Sequence, residues 1–243
     1  MAPFAAMMFR GRLVDTATTT TTISVPKEML SSVLSSKIPD MSAGSLPGYP
    51  RNAIGNTIIQ TTLTSNGLQT SCDAADRLSG LPLKTPQIEW TIDENQHGVY
   101  LVNAPSVRAA TGFIGNRNIV LGDMRFNMTL PEKDTAAIAV TALDGRPLAE
   151  SKKLLRAVVS KIANIGMQWN EERTTVKDKW GQPPTIAPFI PFTITLPGDA
   201  KPTVKALDGA GNAIGELSVT EKAGLWAFSA QKTCPSLWFA IER

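Results

Sequence analysis

The residues best suited to ligand recognition are concentrated in one polar segment, residues 169–180. It contains Trp169, Asn170, Glu171, Arg173 and Trp180. An exposed indole face can stack on a sugar ring, while neighbouring amide, carboxylate and guanidinium groups hydrogen-bond to its hydroxyls. The segment therefore predicts a carbohydrate-binding platform at these five residues. The alternative, of equal weight, is that both tryptophans close the end of a β-sandwich.

Acidic residues offer a second kind of chemistry, because glycoside hydrolysis needs two carboxyl groups roughly 5–9.5 Å apart. The candidate pairs are Glu171 with Glu172, Asp93 with Glu94, and Asp123 with an acid brought near it by folding. Adjacent acids on a strand point to opposite faces, and acids in loops are usually solvated. We therefore predict no catalytic residue.

Metal and nucleophile chemistry have little support. The single histidine, His97, has no Gly-x-Ser-x-Gly motif to accompany it, and we expect an exposed turn residue. One histidine and two distant cysteines, Cys72 and Cys234, lack zinc-ligand spacing, and we favour two separate thiols over a disulfide. No cofactor is predicted. A structural calcium at the turns of Asp144 and Asp208 would be typical of sandwich domains, but no Asp-x-Asp spacing supports it.

Composition restricts the class of protein and its partners. The chain has 243 residues and a net charge of +3, and its lysines and arginines are scattered, so no nucleic-acid partner is expected. Its apolar runs are shorter than the ~18 residues of a membrane span, so no membrane partner is expected. We expect no signal peptide in the first residues, because their charges follow the apolar part. Only 19% of residues are charged, while Thr, Ser, Gly and Pro are abundant, which favours strands and turns.

Short apolar runs separated by turn residues predict an all-β fold, an antiparallel β-sandwich that is jelly-roll-like, either single or built of two packed β subdomains. We divide the chain into an N-terminal strand, helix and linker (1–50), a main β-sandwich (51–191) and a C-terminal β-meander packed on it (192–243). The threonine run before Pro26 predicts a strand, and Pro26 starts the one short helix.

The stretch 135–169 organises the predicted sheet. It has an apolar run, the turn Asp144-Gly145, and a second apolar run. Residues 150–162 have helical spacing of Leu154, Val158 and Ile162, but their β-branched content and strand-rich surroundings favour a strand. Further upstream, Ile88, Trp90 and Ile92 alternate with polar residues, which places Trp90 in the core.

Several segments resemble one family. They are NAPSVRAATGF (103–113), AIAVTALDGRPLAESKKLL (137–155), NIGMQW (164–169) and the ending LWFAI. Together they resemble the non-catalytic β-sandwich region that follows the TIM barrel in some large bacterial glycoside hydrolases. The opening FAAMMFRGRLVDTATTTTTISVPKE is similar to the segment where such enzymes leave the barrel. The barrel itself, which needs ~200 residues of alternating strands and helices, is missing. The resemblance therefore implies a fold and an extracellular, carbohydrate-processing context, and no hydrolytic residue.

The leading hypothesis is a carbohydrate-binding or accessory domain of a secreted, polysaccharide-degrading glycoside hydrolase. Its partners would be a polysaccharide or oligosaccharide and a catalytic TIM-barrel domain of the parent protein. One alternative is a purely structural module that docks the barrel through an apolar patch at Phe4, Met7, Met8 and Phe9. The other is a small stand-alone glycoside hydrolase that uses a carboxylate pair.

Overall fold

The computed structural model describes residues 15, 18–29, 58–67, 69–72, 83–131, 134–171, 175–230 and 234–243. The chain divides into two compact units, with one boundary between Ile92 and Asp93. The smaller unit is Asp15–Ile92, and the larger contains Asp93–Arg243. These limits differ from the predicted boundaries at residues 50 and 191. The hydrophobic segment Phe4–Phe9 lies outside the described residues.

The described residues of the smaller unit form five strands: β1 (Thr20–Pro26), β2 (Ile58–Thr64), β3 (Gln69–Cys72), β4 (Leu83–Lys84) and β5 (Ile88–Ile92). Strand β1 lies in the middle of a three-stranded sheet, parallel to β2 and antiparallel to β3. Its β-branched residues form the strand expected of the threonine run, with Ile23 and Val25 buried on one face. Residues 27–29 form a helical turn, and the rest of the predicted helix lies outside the described residues.

Strands β4 and β5 form an antiparallel pair in which Leu83 lies opposite Trp90. Trp90 was expected in the core, but the structure leaves it half-buried. Ile92, on the same alternating series, is 40% exposed. The alternation therefore identified a strand correctly, while it overstated the burial of the apolar face.

In the larger unit, the part of the chain that the structure describes forms fourteen strands. They are β6 (Gly98–Ala104), β7 (Val107–Gly112), β8 (Asn118–Leu121), β9 (Met124–Met128), β10 (Ala136–Ala142), β11 (Lys153–Ser160), β12 (Ala163–Ile165), β13 (Gln182–Ile186), β14 (Phe192–Leu196), β15 (Thr203–Leu207), β16 (Ala213–Leu217), β17 (Val219–Lys222), β18 (Leu225–Ala230) and β19 (Trp238–Glu242). Twelve of them form two antiparallel sheets, in the orders β16-β15-β19-β11-β10-β7-β6 and β17-β18-β14-β9-β8.

The two sheets enclose one apolar core, to which both contribute buried side chains. Ile138, Leu154 and Phe239 come from the longer sheet, and Phe126 and Ile194 come from the shorter one. An all-β, antiparallel sandwich is therefore confirmed. Residues 192–243 do not remain in one sheet, because β14, β17 and β18 join one sheet while β15, β16 and β19 join the other. Strand β14 pairs with β9 and β19 with β11, so this segment completes both layers.

Residues 135–169 form a central hairpin, as predicted. Strands β10 and β11 pair from Ala136 opposite Ser160 to Ala142 opposite Leu154. The turn between them contains Gly145 with φ +74°, a conformation that favours glycine. Strand geometry from Lys153 to Ser160 confirms the strand and rules out the alternative helix.

One charged side chain lies inside the sandwich. Arg156 of β11 is fully buried, and its guanidinium carbon lies 3.3 Å from the centroid of the Phe192 ring and 5.0 Å from that of Phe239. Within the described part of the chain, no guanidinium nitrogen of Arg156 has a hydrogen-bond partner. Burial lowers the pKa of Arg156 well below its ordinary value. Two aromatic faces are thus the principal neighbours of this cation.

Candidate functional site

Four of the five predicted platform residues, all but Arg173, lie on a two-stranded arm, residues 163–186, outside the two main sheets. Strands β12 and β13 pair antiparallel, with Asn164 opposite Thr185 and Ile165 opposite Gln182. Every residue of β13 is exposed. The connecting loop, 166–181, carries both Trp169 and Trp180. Residues 172–174 lie outside the described residues, and with them Arg173.

Hydrogen bonds hold the two ends of this loop together. The Gln168 amide donates to the Lys179 carbonyl over 3.0 Å, so Trp169 and Trp180 each directly follow one residue of this pair. The Nδ2 of Asn164 donates to the Trp180 carbonyl over 3.0 Å. Its Oδ1 accepts a 2.8 Å hydrogen bond from the Thr185 hydroxyl. The backbone carrying Trp180 is therefore fixed to both strands of the arm.

Gly181 allows the chain to return from Trp180 to β13. Its φ is +68°, and a Cβ at this position would collide with the backbone oxygen of Ile165 and the nitrogen of Met167. Both the conformation and the close approach therefore require glycine. Gly166, at the other end of the loop, has φ +76° with open space around it.

The two tryptophans remain accessible in this arrangement. The exposed fraction is 44% for Trp169 and 61% for Trp180. Indoles that close the end of a sandwich would be covered by its strands. Glu171 is exposed beside them, as are Gln168 and Lys179. The loop thus presents two aromatic side chains next to groups that can hydrogen-bond to a ligand.

Asn170 contributes to the structure of the loop. Its backbone amide donates to the Thr175 carbonyl over 3.0 Å, and its Oδ1 accepts a 3.2 Å hydrogen bond from the Thr175 amide. The side chain is half-buried. Val176 next to this bridge is buried, which anchors the loop further. Asn170 therefore closes the loop across residues 171–174, and its amide oxygen is already used.

Of the acidic candidates, Glu171 lies exposed on the arm, Glu172 lies outside the described residues, and Asp93 is engaged in a turn. Asp93 accepts hydrogen bonds from the amides of His97 and Asn95, both over 2.9 Å, and from Arg117 over 3.1 Å. These hydrogen bonds lower the pKa of Asp93 below its ordinary 3.8, and the one from the His97 amide has the largest effect. His97 is half-buried and stacks on Phe113 with ring centroids 4.1 Å apart, which corrects the expected exposed turn residue.

The calcium candidates are also occupied by turn hydrogen bonds. Asp144 accepts from the amides of Arg146 and Lys152, over 3.3 and 2.9 Å. Asp208 accepts from the amides of Ala210 and Asn212, over 2.9 and 2.8 Å. The described residues include no group of three or more His, Cys, Asp or Glu side chains placed to hold a metal ion. Cys234 is a free, half-buried thiol.

Sequence reasoning missed two features of the larger unit. One is the buried Arg156, whose neighbours Phe192 and Phe239 come from distant parts of the chain. The other is a cavity lined by Arg108, Asp123 and Arg243. No local motif marks either feature, because each is assembled from residues far apart in the chain. The cavity alone is formed by five separate chain segments.

Among the described residues, no helix has the length and apolar character that crossing a membrane requires. Searches with protein-family models, against curated proteins and against solved structures found no match for this chain.

Proposed function

We propose that this chain is a non-catalytic, accessory β-sandwich that binds a polysaccharide or oligosaccharide through Trp169 and Trp180. The parent context we propose is a secreted glycoside hydrolase whose catalytic TIM barrel is not part of this chain. The observation that carries the proposal is the exposure of two indoles, 44% and 61%, on a loop held in place by hydrogen bonds.

Exposure alone would be a weak argument, since single apolar side chains are common on protein surfaces. The supporting feature is the fixed backbone. The Gln168–Lys179 hydrogen bond, the Asn164–Trp180 hydrogen bond and the Asn170–Thr175 pair restrict the loop before any ligand arrives. A restricted loop loses less conformational entropy on binding, so more of the stacking free energy contributes to affinity.

The polar groups beside the indoles suit a hydroxyl-rich ligand. Glu171 supplies a carboxylate, Gln168 an amide and Lys179 an ammonium group, and all three are exposed. A sugar ring needs an apolar surface for its C–H face and donors or acceptors around its edge. The arm provides both kinds of group within one short loop.

A second candidate function rests on a different set of side chains. Ile162, Ile165 and Ile186, on or next to the arm, are 52%, 51% and 48% exposed. Aliphatic side chains add little to sugar stacking but are typical of a surface that another domain covers. We therefore propose, as the alternative, a purely structural module that docks a catalytic barrel through this arm; the sequence indicated the segment Phe4–Phe9 for this role, which lies outside the described residues.

Fluorescence titrations with β-glucan, xylan and mannan test the proposal. The wild-type chain is compared with Trp180→Ala and with Ile214→Ala, which removes a 52% exposed apolar side chain elsewhere. We expect one polysaccharide to bind, with affinity at least about tenfold lower for Trp180→Ala and unchanged for Ile214→Ala. Equal affinity of all three proteins would exclude this site.

A double variant helps to distinguish sugar binding from the alternative function. Ile165→Ser and Ile186→Ser together remove aliphatic surface while both tryptophans remain. If the arm binds sugar, these substitutions leave the polysaccharide affinity unchanged. Absence of polysaccharide binding in the wild type would favour the structural module. Turnover of a chromogenic glycoside panel by the purified chain would instead favour the stand-alone hydrolase.

A further inference from the structure

One end of the sandwich contains a cavity of about 360 Å³. It is formed by the turn between β6 and β7, the turn between β8 and β9, the segment before β11, and the residues that follow β14 and β19. This volume falls in the range of roughly 300–1,000 Å³ that small-molecule sites occupy. Loop clusters at the end of a rigid sheet scaffold are frequent places for binding sites.

The cavity combines apolar walls with a few charged groups. Pro105, Pro147 and Leu148 supply part of the apolar lining. The charged side chains that line it are Arg108, Asp123 and Arg243. This combination, mostly apolar with a small number of polar groups, is typical of sites for small organic molecules.

The Arg108 guanidinium is held rigidly at the cavity. Its Nη1 donates hydrogen bonds to the carbonyl oxygens of Ala104 and Val107. Gly122 lies close against its other edge, where a Cβ would be 3.2 Å from both Nε and Nη2. A fixed planar cation of this kind loses little freedom when it binds an anion, and its shape matches a carboxylate.

The two arginines that line the cavity lie near one acidic side chain, that of Asp123. Burial lowers the pKa of Arg108 and of Arg243, and the Asp123 charge opposes that change in both. The Nε atoms of both arginines are enclosed without a hydrogen-bond partner in the described part of the molecule. Partial desolvation strengthens the attraction of these cations for an anion in the cavity.

We propose that this end cavity binds a small organic molecule through its carboxylate group. The carboxylate is held by Arg108 and Arg243, and the body of the molecule packs against the prolines and Leu148. A monoanion fits better than a phosphate dianion, because the Asp123 carboxylate repels a double negative charge more strongly than a single one. This site is separate from the arm and does not depend on sugar binding there.

Calorimetric titrations with matched ligands test the proposal. The probes are galacturonate with its neutral counterpart galactose, benzoate with benzamide, and inorganic phosphate. We expect at least one carboxylate to bind more tightly than its neutral partner and than phosphate, with an affinity that decreases as NaCl increases. No preference in either pair, or tighter binding of phosphate, would overturn the proposal.

Two substitutions with opposite expected signs make the test specific. Arg243→Gln should weaken carboxylate binding by about tenfold, because it removes one charge-assisted hydrogen bond. Asp123→Asn should strengthen it, because it removes the opposing charge. The control Arg125→Gln removes an exposed positive charge outside this cavity and should have no effect. The proposal fails if Asp123→Asn weakens binding, or if the two arginine variants bind alike.

Discussion

The Nδ2 of Asn164 donates a 3.0 Å hydrogen bond to the carbonyl oxygen of Trp180, sixteen residues along the chain. The same side chain accepts a hydrogen bond from Thr185 on the opposite strand. One amide thereby connects the first strand of the arm, the most exposed tryptophan and the returning strand. The position of Trp180 depends on this connection more than on packing, because its indole is 61% exposed.

Replacing Asn164 should therefore weaken ligand binding without changing the fold. In Asn164→Ala both side-chain hydrogen bonds are lost, and the loop carrying Trp180 becomes less ordered before binding. We expect polysaccharide affinity to fall about fivefold, a typical effect of losing one or two exposed hydrogen bonds. The control is Thr193→Val, which breaks the 2.8 Å Thr193–Ser229 hydroxyl contact on a main sheet. An equal loss of affinity in both variants would contradict the role assigned to Asn164.

The two glycines at the ends of the loop give a second matched comparison. Both have positive φ, but only Gly181 lacks room for a Cβ. Gly166→Ala should cost about 1–2 kcal/mol of local stability from conformation alone, whereas Gly181→Ala should cost more and displace Trp180. Hydrogen exchange of the Gln168 and Thr175 amides would report the difference. Equal exchange rates in the two variants would show that the close contact at Gly181 is unimportant.

The buried Arg156 makes a prediction about stability. Its cation contacts Phe192 but has no hydrogen-bond partner among the described residues, so the cost of desolvation is poorly compensated. Arg156→Met keeps the volume and removes the charge, and we expect the free energy of unfolding to rise by about 1 kcal/mol or more. Arg156→Ala should lower it by at least about 2 kcal/mol, because a cavity remains. Urea denaturation measures both. A large loss of stability in Arg156→Met would mean that the cation–ring contact outweighs desolvation.

Asp93 predicts a pH dependence with a definite sign. The pKa of Asp93 is lowered in the folded state. The hydrogen bonds of its turn therefore contribute their full stability at pH values above the unfolded pKa of 3.8, and this stability is lost as the pH falls through the lower pKa of the folded state. Asp93→Asn should thus be less stable than the wild type at pH 6, and the difference should shrink below pH 3.8. Thermal unfolding across this range measures the effect. A difference that stays constant down to pH 2 would contradict the prediction.

The sequence was sufficient for the local elements of the fold. The alternation of buried Leu154, Arg156 and Val158 distinguishes a strand from a helix once the structure is known, yet the apolar residues alone also fit a helical period. The β-branched content decided correctly because it reflects local backbone preference. The turn at Asp144-Gly145 was predictable for the same reason, since both residues favour turn conformations by themselves.

Long-range pairing was beyond local patterns. Residues 192–243 contain the predicted short strands, but the sheet that each joins is set where β14 pairs with β9 and β19 pairs with β11, both more than 60 residues away. Asn170 was chosen for its amide, and only the folded loop reveals that Thr175 uses it. The end cavity was invisible for a similar reason, because Arg108 and Arg243 are 135 residues apart in the chain.

The central claim is that Trp169 and Trp180 together contact the sugar, and the most direct measurement is of their indole N–H signals. The five tryptophans give separate indole resonances in a two-dimensional ¹H–¹⁵N spectrum, assignable with Trp→Phe variants. On adding an oligosaccharide of the polysaccharide that binds best, we predict that the signals of Trp169 and Trp180 shift. Those of Trp226, whose indole donates to the Gly198 carbonyl, should stay unchanged. Shifts confined to other tryptophans, or no shifts at saturating oligosaccharide, would contradict the account.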